Sequence, residues 1–598
     1  MLSPDARSLY TGAVTPPPGY VFDQAIATTY SLDPETLLLL SVHIALARRQ
    51  STDQADPIGI LESLRRFSDR LSIYVDCGHI KVPSRENLLY GLLEPVIAQV
   101  KAPQGGVFHP KIWVLRFVKP GADGPPLIRL IVLSRNITHD RSWDIALTLE
   151  GFPSKRFIAA NRPLGEFLRS LPEFAAEPVS ELRRNQAAMI AEEVWKTKWE
   201  LPDGFDKASF HVTGTSRRKW EPPQSKRMAV ISPFVTDDAL SWLGRRTEDL
   251  VAVISRPEEV ERLKPDTLKL SEKWFMFDDA AETEEGEEPL EGDTFGLHAK
   301  AYVLEKGWNT ILYVGSANAT GAALVQSTNA EILVELSGKR SRIGGIDSLL
   351  GENGLGPILS EYVPSWDSEA TEDAEDLARK ALEKARKSLG EAGLKVICEA
   401  EKDVWRLTLL PAWPVELSGI SGLKAWPITV SKARAVDAYE LGDLLEVELG
   451  EFVTESVTGL IAFELLAETI SFRMVLNLQV QGLPKNRDDA IFRLILNSEE
   501  NFLRYVLLLL DEYAGGFVGR RDILRIKKKT DSTTGNFSDD AAVLEELVRA
   551  FSRNPEKLKD IGAIVSRLAH GQTVDTAVPE EFLKLWSVFE TAMEEDRK

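Results

Sequence analysis

Two short stretches of this 598-residue chain carry residues able to do chemistry. In one, His298 and Lys300 stand two positions apart in an apolar-rich run, and the next apolar run ends in Gly315, Ser316 and Asn318. In the other, His109 and Lys111 have the same spacing, and Ser134 and Asn136 close the run that follows. The Asn lies 27 positions after the His in the first copy and 20 in the second. An acid opens the following apolar run each time: Asp144, 35 positions after His109, and Glu331, 33 positions after His298. The chain has only seven His, so an ordered recurrence of His-x-Lys, Asn and acid marks a duplicated domain.

Side chains two apart on a strand share a face, so each His is expected beside its Lys. An imidazole next to an ammonium is a poor core and a good anion site with a nucleophile or acid built in. A phosphodiester is the anion that needs this set. Lys111 and Lys300 would neutralise its nonbridging oxygens, and Asn136 and Asn318 would add neutral donors. One imidazole would attack phosphorus, while the other protonates the leaving oxygen and then activates water. The two rings must start in different protonation states, which Asp144 and Glu331 could set from the ring nitrogens that face away.

The elements that must position these residues read as two α/β units. Strands are expected at 71–76, 228–235, 250–254 and 273–277, and helices at 33–49, 86–96 and 173–199, an alternation that argues for an α/β sandwich. Residues 1–30, with three consecutive prolines, read as an extended lead-in, 31–215 as the first half and 216–345 as the second. Gly105 and Gly106 would allow a tight turn or a close approach before the first motif. Pro110, between His109 and Lys111, cannot donate to a ladder and argues for an unpaired position. Between the halves, residues 216–227 form a basic linker in which Trp220 could stack on a base while Arg217 and Arg218 hold phosphates. Residues 278–293 hold nine acids and no base, a solvated insertion or a gate that repels phosphate.

The repeated pattern resembles the phospholipase D superfamily, whose motif is His-x-Lys-x4-Asp with a downstream Asn and whose two copies build one active site. The resemblance covers roughly residues 30 to 340. Its Asp position is Arg116 in the first copy and Glu305 in the second. Some members, the tyrosyl-DNA phosphodiesterases among them, keep His, Lys and Asn without that Asp. The resemblance implies two tandem α/β/α half-domains around one pseudo-twofold site, with His109 as nucleophile, His298 as acid, and Ser134 and Ser316 beside the substrate. The run from Ser134 to Asp144 is closer to the nucleic-acid phosphodiesterases of this superfamily than to its lipases.

Composition narrows the reading further. A net charge of −20 argues against a nucleic-acid binder over the whole surface, though not against a local basic channel. Two distant cysteines, Cys77 and Cys398, make a disulfide framework improbable and fit a reducing, cytoplasmic setting. No zinc-like spacing is present, and no cofactor is called for. After 345 the composition shifts: an amphipathic helix from 374 to 389, a β-rich module to 485 in the manner of a sandwich or barrel, and a helical module from 486 to 598. Residues 520–529 carry six bases that could meet nucleic-acid backbone or a partner. His79 could border the cleft, whereas His43 and His139 read as a core and a surface histidine. The expected activity is a metal-independent phosphodiesterase, a nuclease acting on DNA more than RNA. The layout resembles bacterial proteins that accompany helicases or ATPases in antiviral defence or restriction. Phospholipid hydrolysis or transfer would need a membrane-docking surface, and no basic amphipathic helix with exposed aromatics is evident. A nucleic-acid-binding scaffold with a vestigial site would not need both His and both Lys.

Overall fold

A computed structural model of the chain describes residues 9–46, 57–121, 124–139, 142–215, 219–277, 296–364, 374–513, 543–544, 547–552, 558–569 and 578–595. The first sheet centres on β1 (Val21–Thr29). β2 (Leu71–Asp76) and β3 (Ile97–Val100) extend it in parallel on one side. β4 (Ile112–Val118), β5 (Leu127–Leu133), β6 (Ala146–Pro153) and β7 (Thr197–Glu200) extend it antiparallel on the other.

The second sheet repeats this order. β9 (Ser225–Ile231) is central, with β10 (Thr247–Ile254) and β11 (Ser271–Phe277) parallel on one side. β12 (Ala301–Lys306), β13 (Asn309–Gly315), β14 (Glu331–Lys339) and β8 (Phe205–Thr213) follow antiparallel on the other, and β15 (Leu359–Glu361) closes the β11 edge. The register repeats too: Thr28 pairs with Ile112 in the first sheet, and Ile231 with Ala301 in the second. Each partner directly follows a motif lysine. The expected α/β duplication is therefore present strand for strand over β1–β6 and β9–β14, and the sheets differ at their edges.

Most of these strands are buried on both faces, which is why they read as continuous apolar runs. Ile26, Val114, Ile231 and Val303 point into a core that both sheets share, together with Phe167 and Ile190 from the helices Arg162–Ser170 and Glu181–Lys196. Their neighbours Ala25, Trp113 and Leu115 face a second core on the outer side of the first sheet. Tyr302 and Leu304 face a third on the outer side of the second.

Several boundaries differ from the sequence expectation. Residues 21–29 are not lead-in but the central strand of the first sheet; Asp23, Gln24 and a bulge between Phe22 and Gln24 interrupt its apolar pattern. β8 lies before 216 yet belongs to the second sheet, and β15 joins that sheet after 345. The helix expected at 86–96 is a short 3-10 turn, Leu88–Leu93, capped by Asn87. The helix expected at 173–199 starts at Glu181 behind the cap Ser180, and its last residues become edge strand β7.

The β-rich region is a sandwich. β16 (Lys395–Glu401), β17 (Val404–Leu410), β20 (Val447–Phe452) and β23 (Gln479–Gln481) form one sheet. β18 (Gly422–Pro427), β19 (Val436–Asp437), β21 (Leu460–Ala467) and β22 (Ile470–Asn477) form the other, over a core that also takes the helix Ala374–Glu391. It is fastened to the first half. Asn477 donates its amide to the carbonyls of Glu94 and Ile97, and Arg487 holds the Glu94 carboxylate at 2.8 Å. The helices that follow are not a separate module: Phe502, Tyr505 and Trp586 lie in the same core as the outer face of the first sheet, and Tyr505 donates to buried Glu62. No helix among the described residues is long and apolar enough to cross a membrane.

Candidate active site

Each motif His and Lys sits in the extended segment just before its strand, not inside the ladder, because β4 begins at Ile112 and β12 at Ala301. Pro110 is therefore outside the strand, where its missing N–H costs nothing. What holds these segments comes from the opposite half. The His109 amide donates to the Ala330 carbonyl at 3.0 Å, and the His298 amide to the Trp143 carbonyl at 2.9 Å. Bridges between Phe108 and Ala330, and between Trp143 and Leu297, complete this exchange. Ala330 immediately precedes Glu331, and Trp143 immediately precedes Asp144.

The acids are consequently crossed. Glu331 of the second half lies 2.9 Å from Nδ1 of His109 in the first. Asp144 of the first half lies 4.0 Å from Nδ1 of His298 in the second, beyond hydrogen-bond reach. The lysines are symmetric and nearly fully buried: Lys111 Nζ donates to its own His109 carbonyl at 2.9 Å, and Lys300 Nζ to the His298 carbonyl at 2.6 Å.

Ser134 and Ser316 were expected beside the substrate. Both are buried, and each hydroxyl donates to the acid of its own half, Ser134 to Asp144 at 2.8 Å and Ser316 to Glu331. Each also accepts the amide one residue past its acid, from Ile145 and Ile332. Their hydroxyls are turned to the acids and are buried, not exposed to solvent. Asn136 and Asn318 follow β5 and β13 at equivalent positions. Thr29 and Ser232 brace them: each hydroxyl accepts the amide after the Asn, from Ile137 at 3.1 Å and Ala319 at 2.9 Å, and donates two residues ahead, to Ser31 and Phe234. Sequence reasoning missed these two, since a hydroxyl at a strand end carries no distinctive signal. Asn136 Oδ1 accepts the Ser31 amide at 3.3 Å, whereas Asn318 Oδ1 is buried with no hydrogen-bond partner among the described residues.

Burial dominates the electrostatics. It pushes the His109 imidazole below its ordinary value, against the opposing pull of Glu331. It pushes His298 down to about 3, with the charges of Lys300, Arg256 and Lys111 adding to the effect. Lys111 is held well below the ordinary lysine range by burial and then by Lys300. The site is poised for an anion that would offset this crowded positive charge.

His79 does border this site. Tyr30 lies between the two rings, 4.0 Å from His79 and 5.2 Å, edge-on, from His109. Asp76 links them as well, with Oδ2 2.7 Å from His79 Nδ1 and Oδ1 accepting the Phe108 amide at 2.7 Å.

One further expectation is not met, and several lie beyond the described residues. Trp220 cannot stack on a base: it is 3% exposed, packed against Tyr302, Tyr313 and Trp242. The basic linker turned it inward because the outer face of the second sheet needs an apolar cover. Arg217, Arg218, the acidic run 278–293 and the basic run 520–529 lie outside the described residues. The residues at the superfamily's Asp position have structural partners: Arg116 pairs with Asp23 and Glu193, and buried Glu305 takes Arg340 at 2.9 Å and the Ile346 amide at 2.8 Å. Among the described residues no group of three or more His, Cys, Asp or Glu converges as a metal site.

No family model and no curated protein matches this chain. Solved structures similar to it include the following two. A mutant of yeast tyrosyl-DNA phosphodiesterase is 10% identical with a TM-score of 0.32, over 54% of this chain and 83% of that one. The phosphatidylserine synthase of Haemophilus influenzae is 12% identical with a TM-score of 0.28, over 62% of this chain and 90% of that one.

Proposed function

We propose that this chain is a phosphodiesterase of the phospholipase D type that cleaves DNA through a phosphohistidine on His109. The observation that carries the choice of nucleophile is the Glu331–His109 contact. A carboxylate at 2.9 Å holds the proton on Nδ1 and leaves a lone pair on Nε2. A phosphorylated imidazole is cationic, and of the two motif histidines His109 is the one with a carboxylate within hydrogen-bond reach among the described residues.

In the first step Nε2 of His109 attacks phosphorus and the bond to the leaving oxygen breaks. That oxygen takes a proton from His298. In the second step water attacks phosphorus, His298 takes its proton, and the P–N electrons return to His109. His298 starts neutral in the free protein. Burial depresses it most and the charges of Lys300, Arg256 and Lys111 add to that; a phosphodiester placed among those cations offsets the added part, so substrate binding itself favours loading the acid. The buried lysines supply the fixed charge the transition state needs.

The test is incubation of labelled single- and double-stranded DNA with wild type and His109→Ala in excess EDTA. Wild type is expected to cleave, and the variant to be slower by ~10³-fold or more. Identical product patterns, or cleavage abolished by EDTA and restored by magnesium, would overturn the mechanism. A helicase or ATPase partner in antiviral defence or restriction is proposed from the domain layout, with the sandwich and helices packed beside the first half. Co-purification from the native host tests it.

A further inference from the structure

The pseudo-twofold pair of halves is broken at one place that bears on the substrate. Asp76 ends β2 and accepts the amide of Phe108, the residue before His109. At the matching corner beyond β10, Arg256 donates Nε to the carbonyl of Leu297, the residue before His298, at 3.1 Å. A carboxylate therefore stands on the His109 side and a guanidinium on the His298 side. The two terminal nitrogens of Arg256 make no hydrogen bond among the described residues.

The aromatic residues differ in the same sense. In the loop after β1, Tyr30 is covered by His79 at 4.0 Å, and behind His79 the sandwich helix brings Arg386, whose guanidinium donates to the Cys77 carbonyl at 2.7 Å. In the loop after β9, Phe234 is 38% exposed, with the Arg256 guanidinium 5.1 Å from its ring centre. An exposed aromatic ring beside a guanidinium whose terminal donors meet no partner among the described residues is a pairing suited to a nucleobase and its phosphate, through stacking and charge-assisted hydrogen bonds. The closed His109 side offers neither, and Asp76 there would repel a further phosphate.

We infer that Phe234 and Arg256 form the subsite for the nucleotide on the leaving-group side of the scissile phosphate, the ring stacking on its base and the guanidinium holding the next phosphate. The inference rests on the phosphodiesterase reading, in which His298 protonates the leaving oxygen. It makes the substrate a polynucleotide and fixes its polarity across the site, with the negatively charged continuation over His298.

Binding of a labelled single-stranded oligothymidylate, measured by anisotropy in the full-length chain carrying His109→Ala, tests it alongside hydrolysis of bis(4-nitrophenyl) phosphate by otherwise wild-type protein. Phe234→Ala and Arg256→Gln are each expected to weaken oligonucleotide binding roughly tenfold, a change worth about 1.4 kcal/mol. For Phe234→Ala, the ratio of kcat/KM for oligonucleotide to that for the small diester should fall by a similar factor. Equal binding by parent and variants would overturn the subsite. So would no oligonucleotide binding at all, or binding of phosphatidylglycerol vesicles in its place that the same variants lose. Failure of the phosphodiesterase reading looks different: no hydrolysis of either diester, with oligonucleotide binding that still depends on Phe234.

Discussion

At the residue scale the two histidines look alike in sequence and are not alike in the fold. His109 has a carboxylate on Nδ1, whereas His298 has lysines and an arginine nearby and, among the described residues, its nearest carboxylate is Asp144 at 4.0 Å. Exchanging Glu331 for Gln keeps the shape and removes the charge that stabilises a cationic His109, so kcat is expected to fall by about 10²–10⁴-fold with little change in KM. An unchanged kcat would remove Glu331 from the mechanism. The depressed His298 also predicts proton uptake on anion binding. Sulfate does not titrate near neutrality, yet its charge should raise the His298 pKa from about 3. A ligand that raises a pKa binds more tightly as pH falls, so affinity should rise from neutral pH downward until free His298 is itself protonated. Calorimetry in buffers of different ionisation enthalpy reads the proton directly, and His298→Gln should remove it. Uptake that survives in the variant would contradict the assignment. The His, Lys and Asn pairs were legible in sequence because their chemistry fixes residue type and spacing. The crossing of the acids was not, because it depends on how two halves far apart in sequence meet.

At the scale of elements, the site is held by the segments that each half lends the other. Gly106 sits in one of them. A Cβ there would lie 2.5 Å from backbone atoms of Thr328 in the opposite half, so Gly106→Ala must push the halves apart. It should lower both the melting temperature and kcat. Gly105 has a φ of +80° and open space around its absent side chain, so Gly105→Ala should cost only backbone strain of about 1–2 kcal/mol. Equal effects of the two on kcat would argue against a shared interface at Gly106. Strand patterns were legible where both faces are apolar, as in β2 and β10, and illegible in β1, where a bulge and polar residues break the run. Trp220 shows the reverse error. A Trp in a basic linker reads as a stacking platform, but local charge says nothing of which face of a sheet lacks a cover. Trp220→Ala should destabilise the protein by about 3–5 kcal/mol in denaturant titration and leave DNA affinity of the folded fraction unchanged.

At the scale of the whole molecule, the sandwich and the last helices are part of the scaffold around the first half. Glu94 ties the 3-10 turn of the first half to Thr458 in the sandwich and to Arg487 beyond it. Removing Arg487 strands a largely buried carboxylate, so Arg487→Ala is expected to cost on the order of 3–5 kcal/mol, read as a lowered melting temperature. A stability loss confined to an independently melting C-terminal unit would contradict this packing. The α/β duplication and the β-rich region were legible from pattern alone. Their union was not, because the contacts that join them lie hundreds of residues apart.

The most direct test is the covalent intermediate. A reaction of wild-type protein with a DNA phosphodiester, quenched in alkaline denaturant and digested for mass spectrometry, should show the phosphoryl adduct on His109. The adduct should accumulate in His298→Gln, which cannot activate water for the second step. An adduct on His298, or full turnover with no adduct on either histidine, would contradict the proposed chemistry.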